Sequence, residues 1–168
     1  MIKYIFIVLL LAFILSCKKK DANAPTVNPI NFHGIVSTDN NGNIIYNNDS
    51  TDWKINDIWS ATEAGLFPTN KPICNNPPNY QVTGYPNPCN GYITINYRQP
   101  QQALLEYRIV DRYYNVLIAN DSLKYVNNQS VNYMMDLSKY KGSDTIRMYY
   151  KIITNTCECR GHGDIVVK

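Results

Sequence analysis

The chain predicts a mainly β protein: a small antiparallel β-sandwich preceded by a signal peptide, a tether, and a hairpin plus short helix. Three observations carry this expectation. Tyr occurs 14 times and Asn 22 times, while charged residues make up only 17%. That mixture supplies rings that favour strands and amides that favour turns. From Gly91 onward, short alternations of apolar and polar residues return at regular intervals, separated by Asn, Asp and Gly. At the other end, Lys3 precedes a run of apolar residues from Ile5 to Leu15, and Ser16 places a small residue after it. That is the layout of an export signal, and the run is short for a membrane-spanning helix.

The expected organisation is a signal peptide over 1–16, a tether over 17–29, a docking segment over 30–79 and the sandwich over 80–168. The tether is polar, contains Pro25 and Pro29, and lacks periodicity. In the docking segment, His33 to Ser37 and Ile44 to Tyr46 flank Asp39-Asn40-Asn41-Gly42-Asn43, a hairpin signal. Ser60 and Glu63 have capping-box spacing, which predicts a short helix within Trp53 to Phe67. Trp53, Trp59 and Phe67 are expected to dock this segment on the main domain. Prolines at 72, 77, 78, 86 and 88 leave room only for a short strand over Tyr80 to Tyr85.

Within the sandwich, Ile93, Ile95 and Tyr97 share one face of a strand, as do Leu105, Tyr107 and Ile109. Further strands are expected at Val116 to Ala119, Val131 to Met135, Thr145 to Ile153 and Asp164 to Val167. The stretch Thr156 to Gly163 then reads as a loop before the last strand, because of its glycines.

The junction Ile14-Leu15-Ser16-Cys17 resembles the lipobox of bacterial lipoproteins. The resemblance implies cleavage before Cys17 and lipid on that residue, placing the protein in the cell envelope as an outer-membrane lipoprotein. Lys18, Lys19 and Lys20 follow at once and suit anionic headgroups. From Ala22 onward, 12 Lys and Arg balance 12 Asp and Glu. A neutral body argues against nucleic-acid binding.

The run Tyr85-Pro86-Asn87-Pro88-Cys89-Asn90-Gly91 and the alternating Tyr92 to Ile95 resemble the opening of the C-terminal sorting domain of type IX secretion substrates. Tyr107 to Asp111, Val131 to Leu137, Lys141-Gly142 and the ending Ile165-Val166-Val167-Lys168 resemble later landmarks of that family. The resemblance covers about half of the chain and implies an Ig-like β-sandwich. Thr156 to Gly163 is an insertion relative to that pattern.

Four cysteines remain after Cys17: Cys74, Cys89, Cys157 and Cys159. An even number in an oxidising compartment points to disulfides. Cys157 and Cys159 are too close in sequence to bridge each other without strain. Two pairings remain, Cys74 with Cys157 and Cys89 with Cys159, or the crossed set. Free thiols and a zinc site that adds His162 are the alternatives. No phosphate-cradling glycine loop or nucleophile elbow is present, and the only histidines are His33 and His162.

The expected function is therefore non-catalytic: a lipid-anchored envelope module that binds an envelope protein or a glycan, or has a structural role, without a cofactor or metal. Arg160, Gly161, His162 and Gly163 are the candidate binding loop. A type IX cargo or accessory protein is the second reading, and a small hydrolase with a surface cleft is the third. Replacing Cys17 by Ala should abolish lipidation and move the protein from the membrane fraction to the soluble fraction. Retention of Cys17→Ala in membranes after a high-salt wash would contradict the lipoprotein reading.

Overall fold

The computed structural model describes residues 27–55, 58–125, 129–142 and 144–168. The expected signal segment, Cys17, residues 18–20 and most of the expected tether lie outside them. Among the described residues the strands are β1 (Val36–Thr38), β2 (Ile44–Asn47), β3 (Gln81–Tyr85), β4 (Tyr92–Gln99), β5 (Ala103–Val110), β6 (Val116–Tyr125), β7 (Gln129–Asp136), β8 (Ile146–Ile153) and β9 (Glu158–Ile165). One helical turn, α1 (Ala61–Ala64), lies between β2 and β3.

All pairings between these strands are antiparallel. β1 and β2 form a hairpin, and the other strands make two sheets ordered β3-β4-β7 and β6-β5-β8-β9. The chain changes sheet between β4 and β5, between β6 and β7, and again between β7 and β8, as in an Ig-like sandwich. The core follows from period-two alternation. Ile93, Ile95 and Tyr97 from β4 meet Leu105, Tyr107 and Ile109 from β5 and Met148, Tyr150 and Ile152 from β8 in one buried cluster.

Three local expectations change. β6 runs on to Tyr125, past the predicted end at Ala119, because a bulge between Leu105 and Tyr107 lets an edge strand continue. The helix is a single turn. Ser60 Oγ accepts from the Glu63 N–H at 3.3 Å, and Glu63 Oε2 accepts from the Ser60 N–H at 2.6 Å, so the capping box forms; Gly65 then ends the turn. The largest change is at the C-terminus. The predicted loop Thr156 to Gly163 contributes most of β9, which pairs with β8 from Ile153↔Glu158 to Ile146↔Ile165.

The glycines that suggested a loop serve close approach instead. A Cβ on Gly163 would lie 2.5 Å from the Trp53 indole, and one on Gly161 would lie 1.9 Å from the Lys54 carbonyl oxygen. Gly84 of β3 meets the far end of the same indole, so Trp53 closes the gap between the two sheets at β3 and β9. Its backbone N–H donates to the His162 carbonyl at 2.7 Å, and Lys54 forms a bridge with His162. Trp53 adopts φ 59°, a region unfavourable for a bulky side chain, so the surrounding packing must hold it there.

Gly163→Ala should therefore destabilise the fold, and Trp53→Ala should cost about 3–5 kcal/mol. Urea unfolding of both single variants and the double variant checks the pairing. With the indole gone, Gly163→Ala should cost far less, giving a clear coupling energy. Additive losses would show that Trp53 does not set the need for glycine at 163.

Candidate binding surfaces

The face of β5, β8 and β9 turned away from the core carries Glu106, Arg108, Arg147, Lys151, Glu158 and Asp164, yet all except Arg147 are buried and Arg147 is nearly so. The docking segment covers it. Trp59 stacks on Phe67 at 5.2 Å and meets Tyr149 edge-on at 5.5 Å. Together with Ile30 and Val110 they form a second apolar cluster. The Tyr149 hydroxyl donates to Glu63 Oε1 at 2.7 Å, and burial followed by that contact raises its pKa.

Beneath these rings the charges neutralise one another. Lys151 Nζ lies 3.3 Å from Glu106 and 3.5 Å from Glu158, and it donates to the Thr69 carbonyl. Arg147 makes two bonds to Asp164, at 2.5 and 2.7 Å. Burial acts to lower the Arg147 pKa, but the Asp164 bonds and charge outweigh it and raise it. Removing one partner of such a buried pair costs about 3–5 kcal/mol. These groups are sealed between two layers.

Asp52 joins three chain segments. Its carboxylate accepts from the Val36 N–H at 2.9 Å and from the Asp164 N–H at 2.6 Å. Burial pushes the Asp52 carboxyl up to about 7; the Val36 bond opposes the shift and the Asp164 charge adds to it. Asn87, fully buried within the Tyr85 to Gly91 turn, completes the junction. Its Nδ2 donates to the Val36 and Asp164 carbonyls at 3.0 and 2.8 Å, and its Oδ1 accepts from the Val166 N–H at 3.1 Å.

The residues singled out from sequence are dispersed. Arg160, Gly161, His162 and Gly163 are consecutive positions of β9 and form no loop; His162, Gly161 and Gly163 are buried, and Arg160 stacks over Trp59 at 5.2 Å. Among the cysteines, Cys74 and Cys157 form a disulfide, whereas Cys89 and Cys159 are buried free thiols. The second expected bridge is absent for a topological reason. Cys89 bridges to Val167, while Cys159 sits eight positions earlier along the same chain segment, roughly 26 Å away at strand rise. Burial raises the pKa of both free thiols. Among the described residues no three His, Cys, Asp or Glu side chains are placed to hold a metal ion.

Two open surfaces border β3. A groove of about 620 Å³ runs between the hairpin and β3, lined by Ile44, Asp52, Trp53, Ile55, Pro77 and Val82, among others. The second is the outer face of β3-β4-β7. There the registers Thr83↔Asn96↔Asn132 and Tyr85↔Thr94↔Met134 set amide, hydroxyl and aromatic side chains in rows. Asn96 Nδ2 donates to Ser130 Oγ at 2.8 Å and to Asn132 Oδ1 at 2.6 Å. Sequence analysis missed this face, although it was legible as the complement of the inward set Ile93, Ile95 and Tyr97.

No known protein-family model matches the chain, and no curated protein or solved structure is significantly similar to it.

The buried Asp52 gives a pH dependence of defined sign. Its folded pKa is above the unfolded value of 3.8, so its contribution is fully present below about pH 4 and is lost as pH rises through about 7. Stability should fall by on the order of 2 kcal/mol between pH 5 and pH 8. Urea midpoints across that range measure it, and Asp52→Asn should flatten the slope. An equal slope in Asp52→Asn would assign the effect to other groups.

Proposed function

We propose that the protein is a lipid-anchored envelope component acting as a non-catalytic binding or structural module. One observation carries this reading. The clustered ionisable groups are consumed in ion pairs sealed beneath the docking segment, while an uncovered sheet face is left to solvent. Catalysis needs titratable groups that reach a substrate, and Glu106, Lys151, Glu158 and Asp164 are buried. The lipobox-like Cys17 supports attachment to a membrane.

The type IX cargo reading is weighed against the joining of the two halves. Val36, Trp53 and Cys74 share the main buried cluster with the sandwich strands, and Cys74–Cys157 links the halves covalently. A sandwich completed in this way is less suited to being a detachable tail.

The test uses the full-length protein in detergent, incubated with delipidated envelope material. The expected outcome is saturable co-sedimentation with no low-mass product released. Release of saccharide or peptide fragments in proportion to added protein would replace the binding module by a hydrolase.

A further inference from the structure

We propose that the outer face of β3, β4 and β7 is a platform for a neutral glycan. This rests on the binding-module reading and names its ligand class. The face is three strands wide and four residue rows long, roughly 10 by 20 Å at sheet spacings. That suits a short stretch of an extended saccharide.

Charge selects the class of ligand. Arg98 stands in the first row and Asp136 in the last, with no ionisable carboxylate or amine between them. A polyanion would need a basic field that this face lacks. The rows between present Thr83, Asn96, Asn132 and Thr94 beside Tyr85 and Met134. Sugar hydroxyls both donate and accept, so they need both functions from the protein. The Asn96 amide group spends its Nδ2 on Ser130 and Asn132. Among the described residues that leaves Asn96 Oδ1 to accept and Asn132 Nδ2 to donate, side by side on adjacent strands.

The apolar half of a sugar ring needs a flat surface at the same level. Tyr92 is 53% exposed at the end of the face, and Met134 is 70% exposed one row before it. A tyrosine offers a ring for C–H packing and a hydroxyl that stays wet. One side of the platform has a wall. The hairpin turn packs on Tyr85, where a Cβ on Gly42 would lie 3.1 Å from the ring. Asp39 stiffens that turn by accepting from the Asn41 N–H at 2.8 Å and the Asn43 N–H at 2.9 Å. Among the described residues the docking segment covers the opposite outer face and leaves this one uncovered.

Titration calorimetry on the full-length protein in detergent tests the proposal. The probes are cellohexaose, maltohexaose and mannohexaose, with polygalacturonate as the anionic comparison. Binding of at least one neutral hexasaccharide is expected, with polygalacturonate bound no better. Tyr92→Ala and Asn132→Ala should each weaken it roughly tenfold, and Tyr113→Ala, at an exposed position between β5 and β6 of the other sheet, should leave it unchanged. Both weakening positions are exposed, so their urea midpoints should match the parent; Met134→Glu is the second variant if Tyr92→Ala does not fold. No binding of any neutral probe, preference for polygalacturonate, or affinity unchanged in Tyr92→Ala and Asn132→Ala would overturn the platform. Envelope binding that survives those variants would overturn it while sparing the binding-module reading, whereas cleavage of a probe would overturn that reading itself.

Discussion

The pairing of β9 is the constraint from which the rest of the structure follows. On one side it has β8; on the other it has no neighbouring strand of its sheet. That side is covered in pieces by earlier parts of the chain. Cys74 and Pro72 exchange backbone hydrogen bonds with Glu158, Trp53 donates to His162, Asn87 serves Asp164 and Val166, and Cys89 exchanges bonds with Val166 and Lys168. An unpaired edge invites association with other chains. Covering it from within removes that hazard and fixes where the N-terminal half must run. The glycines at 161 and 163, the left-handed backbone at Trp53 and the disulfide at Cys74 are all consequences of this arrangement.

A second consequence is that the sandwich has two unlike outer faces. Once the chain has reached β9's edge, residues 58–71 lie across β5 and β8 and desolvate a row of charges. Burying Lys151, Glu106 and Glu158 is costly unless each finds a partner, and the alternation of signs across three strands provides them. Among the described residues the other sheet receives no such cover. Its outward residues are polar, and their hydrogen bonds run sideways along Asn96, Ser130 and Asn132.

Much of the sandwich was legible in sequence because alternation is a local signal. Ile93, Ile95 and Tyr97 declared their face, as did Leu105, Tyr107 and Ile109, and the Ser60–Glu63 spacing marked where the helical turn begins. Failures came where a residue's role depends on distant chain. Gly161 and Gly163 look like loop residues by themselves; only Trp53, more than a hundred positions earlier, gives them a reason to lie in a strand. Glu106 and Lys151 read as solvent-facing positions, and nothing local says that Phe67 and Thr69 will cover them. Cysteine parity suggested two bridges, but parity carries no information about which end of a sheet each residue occupies. Asp52 was invisible for the same reason, since its environment is assembled from Val36, Asp164 and the buried Asn87.

The internal covering of β9 also bears on timing. The partners of Trp53 and Cys74 are made long after them, Cys157 following Cys74 by 83 positions, and those of Val36 include Asp52, which is itself held by Asp164. Contacts of such separation form late, because long loops must close first. The segment before β3 therefore cannot complete its packing until β9 has been made, so the same covering that protects the finished edge orders the assembly of the two halves.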